Sequence, residues 1–159
     1  MNRLLIFLLT STLTLPLLAA DKQLPCAGKR IKATTAAACA DMSHTNLNRA
    51  QLAGRDLKGI KLLRGKLREA DLSNSILQNA DLQFTDLHKG KLRNADLKGA
   101  NLREAKLYRA DLRGTDLRGA NLRKARLTGT QLDGAIFNEL TILPFSREKA
   151  LALGMVYQP

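Results

Sequence analysis

Leucine returns at every fifth position from Leu47 to Leu132, 18 times in succession. Phe137 and Ile142 extend the spacing with other apolar residues. Neither regular element accommodates this step. On a helix, at about 100° per residue, it winds the leucines around the whole surface. On a strand, an odd step sends successive leucines to opposite faces. The repeat therefore outranks local propensity. All the leucines share one interior only if the backbone turns a corner once per repeat. The pattern predicts a coil with flat sides and regular corners.

The neighbouring positions agree. Two residues before each Leu stands a small side chain in most repeats, among them Ala70, Ser75, Ala80, Thr85, Gly90, Ala105 and Thr115, with Arg55, Ile60 and Leu140 as departures. Immediately before Leu the chain favours Asp or Asn, as at Asp71, Asp81, Asp96, Asn101, Asp111 and Asp116. Such side chains bond nearby backbone amides in turns. Two residues after Leu a longer period appears. Taking every fourth repeat gives Gly54, Asn74, Asn94, Gly114 and Gly134 on one side, and Gly59, Asn79, Gly99, Gly119 and Glu139 on the next. The other two sides carry Arg49, Glu69, Lys89, Arg109 and Gly129, and Arg64, Phe84, Glu104 and Lys124. Gly and Asn tolerate positive φ. The expectation is four sides per coil, with positive-φ turns following two of them.

The motifs Ala80-Asp81-Leu82, Ala95-Asp96-Leu97, Ala100-Asn101-Leu102, Ala110-Asp111-Leu112 and Ala120-Asn121-Leu122 resemble the pentapeptide-repeat family, whose consensus is A-(D/N)-L-x-x. The resemblance covers about residues 45–139. It implies an all-β fold, a right-handed quadrilateral β-helix. Residues 47–137 hold 19 repeats, or about five coils. Stacked at about 4.8 Å, they make a rod roughly 23 Å long. Members of the family that mimic DNA and inhibit topoisomerases do so with acidic surfaces. At a formal charge of +12 this chain departs from that pattern, and a topoisomerase inhibitor is not expected.

The flanks divide the remaining chain. Residues 1–20 offer Arg3, an apolar run to about Leu18, and the small pair Ala19 and Ala20. This is the order of a secretory signal peptide. The run, interrupted by Thr10, Ser11, Thr12, Thr14 and Pro16, is short for a membrane span, although an uncleaved anchor or a buried helix is the rival explanation. The expected location is the periplasm or the medium. Cys26 and Cys39 are the only cysteines, and in an oxidising compartment they are expected to form a disulfide. A metal site of Cys26, Cys39 and His44, or two unpaired thiols, are the alternatives. Residues 21–44 are assigned as an N-terminal cap, with residues 34–42 as an Ala-rich short helix. Residues 140–159 are assigned as a C-terminal cap, with Ser146 opening a helix over residues 147–153 and Gly154 ending it. A solenoid needs its ends covered. The C-terminal cap is also the expected interface if the chain dimerises.

The charge permits nucleic acid, anionic lipid or anionic glycan as partner. Just after Leu, twenty residues apart, Arg93 lies above Arg113, Lys98 above Arg118 and Arg103 above Arg123. These six form a candidate anion-binding belt on three adjacent sides, offset in part by Asp96, Asp111 and Asp116. A solvated, partly self-neutralised surface is the plainer account. Aromatic rings for stacking on bases are not interleaved with the belt, so no specific nucleic acid is expected. Catalysis finds little support. His44 and His88 are the only histidines, and His88 falls on a ladder between Arg68 and Tyr108 with no nucleophile converging on it. No enzyme activity, metal or cofactor is expected. Two functions stand: a non-enzymatic exported scaffold or protein-interaction module, and a binder of anionic polymer or lipid headgroups.

Overall fold

The computed structural model describes residues 41–159. The signal segment, Cys26, Cys39 and most of the N-terminal cap lie outside the described residues. The coil already includes residues 41–44, which the sequence placed in that cap. Asp41 pairs in parallel with Lys61, Met42 takes a leucine position at 2% exposure, and His44 turns a corner at φ 62°.

One repeat shows how the coil is held. Asp71 N–H donates to Ala50 O at 2.9 Å on the rung before, and Leu72 N–H donates to Lys91 O at 2.7 Å on the rung after. Asn74 N–H reaches Arg93 O at 2.9 Å, and Ser75 N–H closes the corner on Leu72 O at 3.2 Å. That leaves the amide of Ser73, which donates to the Asp71 carboxylate at 3.0 Å. Every amide of the repeat is thus satisfied, as a buried or stacked backbone requires. The Asp or Asn before Leu supplies the one acceptor that the ladder does not. The same bond recurs at Asp56, Asp81, Asp86, Asp96, Asp111 and Asp116.

Bridges join residues twenty apart, from Asp41 with Lys61 to Asp116 with Ile136, which makes four sides per coil. Leucines from Leu62 to Leu122 have no exposed surface. Each contributes about 1.5–3 kcal/mol of burial. Ser75, Thr85 and Thr115 share this interior because each hydroxyl donates to the Leu carbonyl three residues back, at 2.7, 2.7 and 2.8 Å.

The corners differ from expectation. Positive φ occurs on all four sides, not two. Arg49, Arg64, Glu69, Phe84, Lys89, Glu104, Arg109 and Lys124 adopt it at 54–59° alongside the Gly and Asn residues. The turn is the same everywhere: a bond from the third residue after Leu back to the Leu carbonyl, with the intervening second residue left-handed, as in a type II turn. The Gly and Asn columns have another cause at two rungs. A Cβ at Gly99 would collide with Asn79 Oδ1, and one at Gly114 with Asn94 Oδ1. An Asn on one rung there occupies the space of a side chain on the next.

The repeat ends with a one-residue insertion. Asn121 pairs with Ile142, twenty-one residues on. Ile142 is therefore an edge residue, 49% exposed, and does not continue the inward series. Leu143 turns against the core instead. Asn138 and Thr141 absorb the extra residue, with Gly119 N–H donating to Asn138 Oδ1 at 3.0 Å and Thr141 Oγ1 donating to Leu117 O at 3.0 Å. Helix α1, Arg147–Ala152, follows, and the Ser146 hydroxyl accepts from Lys149 N–H at its start. It buries Ala150. Strand β2, Val156–Tyr157, then adds a parallel rung to β1, Ile136–Phe137.

Candidate functional site

Three of the six belt residues are already engaged. Arg113 grips Asp111 with two bonds, at 2.9 and 2.7 Å, and Arg118 grips Asp116 at 3.0 and 2.6 Å. Lys98 lies 3.1 Å from Asp116 and 3.6 Å from Asp96. The Arg113 hydrogen bond holds the Asp111 carboxyl below the usual range. Burial pushes Asp116 upward, but hydrogen bonds from Arg118 and Lys98 outweigh it and hold this carboxyl low as well. Arg93, Arg103 and Arg123 are exposed, and among the described carboxylates Arg103 pairs with Glu104, at 3.5 Å. The stacking at twenty-residue spacing is as the sequence indicates, and the three sides are adjacent. As one uniform cationic surface, however, the belt is interrupted by its own aspartates.

Exposed charge collects elsewhere. Where both bridged residues are charged, the signs are mostly opposite: Asp41 and Lys61, Lys61 and Asp81, Lys66 and Asp86, Asp71 and Lys91, Asp86 and Lys106, Lys91 and Asp111. Such facing pairs stabilise a ladder. Among the described residues, only Lys106 and Arg126 bring two cations together across a bridge. Arg103 and Arg123 stack on the side before them, and Lys124 and Arg109 occupy neighbouring corners. All six are exposed, and Glu104 is the one carboxylate among them. The Arg126 guanidinium donates to Tyr108 Oη at 3.1 Å, and the Tyr108 ring lies 6.3 Å from His88. Lys106 and Arg126 escape the sequence reading, and Arg109 and Lys124 enter it only as corner residues, because charge was followed at the position after Leu alone. Summing charge at every outward position, side by side, finds them.

The C-terminal end is apolar by contrast. Leu140, Ile142, Leu151, Leu153 and Val156 are all exposed there. An open groove of about 420 Å³ is lined by Phe137, Ile142, Leu143, Phe145, Arg147 and Tyr157, among others. Arg147 covers the Tyr157 ring at 3.6 Å. Among the described residues, no group of three His, Cys, Asp or Glu side chains is placed to hold a metal ion. No helix among them is long and apolar enough to cross a membrane.

The family model for pentapeptide repeats matches residues 66–103 and 100–138, in eight copies. A pentapeptide repeat protein from Nostoc PCC 7120 is 31% identical over 75% of this chain and 85% of its own, with a TM-score of 0.41. The chain belongs to the pentapeptide-repeat family. Its coil is accordingly a right-handed β-helix. Rfr23 from the cyanobacterium Cyanothece 51142 is 35% identical over 58% of this chain, with a TM-score of 0.58, and the match spans 63% of its length. A thylakoid-lumen pentapeptide repeat protein of Arabidopsis thaliana is 25% identical over 71% of this chain and 73% of its own, with a TM-score of 0.49. No curated protein matches.

Proposed function

We propose that this pentapeptide-repeat protein is a non-enzymatic scaffold, exported through its N-terminal segment, that engages protein through its C-terminal end. That partner is another protein or a second copy of the chain. Residues 140–159 serve as a cap that closes the rod of about five coils, and their outer surface is the contact. The observation carrying this is the gathering of Leu140, Ile142, Leu151, Leu153 and Val156 at one end of a rod whose described sides expose only two large apolar side chains, Ile76 and Phe84. Exposed apolar residues collected in one place mark interaction sites. In the periplasm or medium Cys26 and Cys39 are oxidised to a disulfide.

A photo-crosslinking residue at Leu140 or Val156 should give one discrete adduct at physiological salt, and the same residue at Lys58 should give none. Equal adducts from all three positions, or none from any, would overturn the proposal. A second function, binding of an anionic polymer, is favoured by the exposed cations around the Lys106–Arg126 bridge.

A further inference from the structure

We infer that the paired sides carrying Arg103, Lys106, Arg109, Arg123, Lys124 and Arg126 bind a linear acidic polysaccharide, laid along the rod with its carboxylates or sulfates on the cation rows. This rests on the anionic-polymer function above and supplies its site and ligand class. The first support is the ladder itself. Facing charges elsewhere alternate in sign, or, at Asp96 and Asp116, share Lys98. At Lys106 and Arg126 two cations face each other, with Asp86 opposite Lys106 on its other side but no described carboxylate facing Arg126 across a bridge, and like charges directly opposite are unfavourable. Arg103 over Arg123 repeats the arrangement one side earlier, relieved only by Glu104 at 3.5 Å. The repulsion weakens when a polyanion supplies the negative charge that the rung at Arg126 does not receive.

The second support is shape. The rows repeat at the rung spacing of about 4.8 Å. A polysaccharide with one acidic group per sugar presents charge at a comparable step, along a straight line. The rigid ladder holds the cations in place before the ligand arrives, which lowers the ordering cost of binding.

The third is what the surface lacks. Single-stranded nucleic acid is held by rings on which successive bases stack. The rings here are Tyr108, half-buried with its hydroxyl bound by Arg126, and Phe84 at the edge of the patch, its face covered by Arg64, so no row of free rings accompanies the cations. A folded acidic protein needs a desolvated apolar or aromatic centre to its interface. A lipid surface is held more firmly when apolar side chains insert beside the cations. Of the exposed large hydrophobic residues among the described ones, only Phe84 borders the patch, one rung below Glu104, and Arg64 covers its ring at 5.6 Å.

The test is binding of the full-length protein to polygalacturonate and to heparin, which separate carboxylate from sulfate, across a salt series. Single-stranded DNA and anionic phosphatidylserine vesicles serve as competitors in kind. One variant carries Lys106→Gln, Lys124→Gln and Arg126→Gln. A second removes the same charge from the aspartate-paired positions, Lys98→Gln, Arg113→Gln and Arg118→Gln. A third keeps the charge, Lys106→Arg with Lys124→Arg, and guards against loss of fold. The first should bind at least about tenfold more weakly, while the other two stay within about threefold of wild type. Equal loss in the first two variants would overturn the location and leave binding by net charge. Absence of wild-type binding to both glycans at moderate salt would overturn the anionic-polymer function with it. Tighter binding to DNA or vesicles, lost in the first variant, would overturn the ligand class.

Discussion

At the scale of the residue, the interior is set by Leu and the small side chain that shares its layer. Leu92 stacks between Leu72 and Leu112, and all three are fully buried. Leu92→Ala should cost about 2–5 kcal/mol, because the neighbouring rungs are fixed by hydrogen bonds and cannot collapse into the cavity. A thermal or denaturant melt unchanged by the substitution would show that the leucines do not form the core. This layer was fully legible, since a step of five admits no other inward arrangement. So was the part played by Asp71 and its equivalents. The left-handed corners at Arg64, Phe84 and Glu104 were not. Left-handed backbone costs a non-Gly residue roughly 1–2 kcal/mol, so its presence is not written in residue type. Each such corner is fixed by a turn bond behind it and a ladder bond to the next rung, as Phe84 N–H is to Arg103 O at 3.0 Å. Tertiary structure overrides local preference at these sites.

At the scale of the element, a side of the coil is a column of facing residues, and its electrostatics follow from what stacks on what. Asp111 and Asp116 both titrate below the usual carboxylate range, Asp111 through its Arg113 hydrogen bond, Asp116 through Arg118 and Lys98 despite burial. A carboxyl depressed in the folded state contributes stability above its unfolded pKa. That contribution is lost as pH falls through the folded value. Stability should therefore drop below about pH 4. A variant with Asp111→Asn and Asp116→Asn should lose less on acidification than wild type, as read from melting temperatures between neutral and acid pH. Identical pH profiles would show that these pairs do not matter to stability. Both Arg side chains are well solvated, so the effect is modest. The end of the repeat was less legible than its sides. Ile142 and Leu143 are both apolar, and spacing alone cannot say which faces inward once a residue is inserted. The bonds of Asn138 and Thr141 decide it. Ser146 and Gly154, by contrast, marked the limits of α1 well because capping chemistry is local. The candidate site was legible as stacked cations, but half of the belt is neutralised by neighbours two residues away, and the larger cluster forms only when charge is summed across positions that were read one column at a time.

At the scale of the whole molecule, a solenoid with a twenty-residue coil should tolerate removal of one coil, because stability in such folds is a sum over repeats and their contacts. Deleting residues 81–100 joins Ala80 to Asn101 and keeps every leucine, corner and small residue in its column. The charges do not follow the same period. In the intact ladder Lys66 faces Asp86, Asp86 faces Lys106, Asp71 faces Lys91 and Lys91 faces Asp111, so the sign alternates and repeats only after two coils. With one coil removed, Lys66 meets Lys106 and Asp71 meets Asp111. Five opposite-charge contacts, Lys61 with Asp81 among them, and the like-charge contact of Asp96 with Asp116 are lost, and two like-charge contacts appear, while the core stays intact. The deletion variant should fold cooperatively, melt lower than the intact chain, and recover more of its stability as salt is raised. Salt screens the new repulsions in the variant, but in the intact protein it also screens attractions. The measurement is the change in melting temperature between low and high salt for both proteins. An equal salt response would mean that the alternating ladder does not contribute to stability. Failure of the variant to fold would mean that twenty residues are not the cooperative unit.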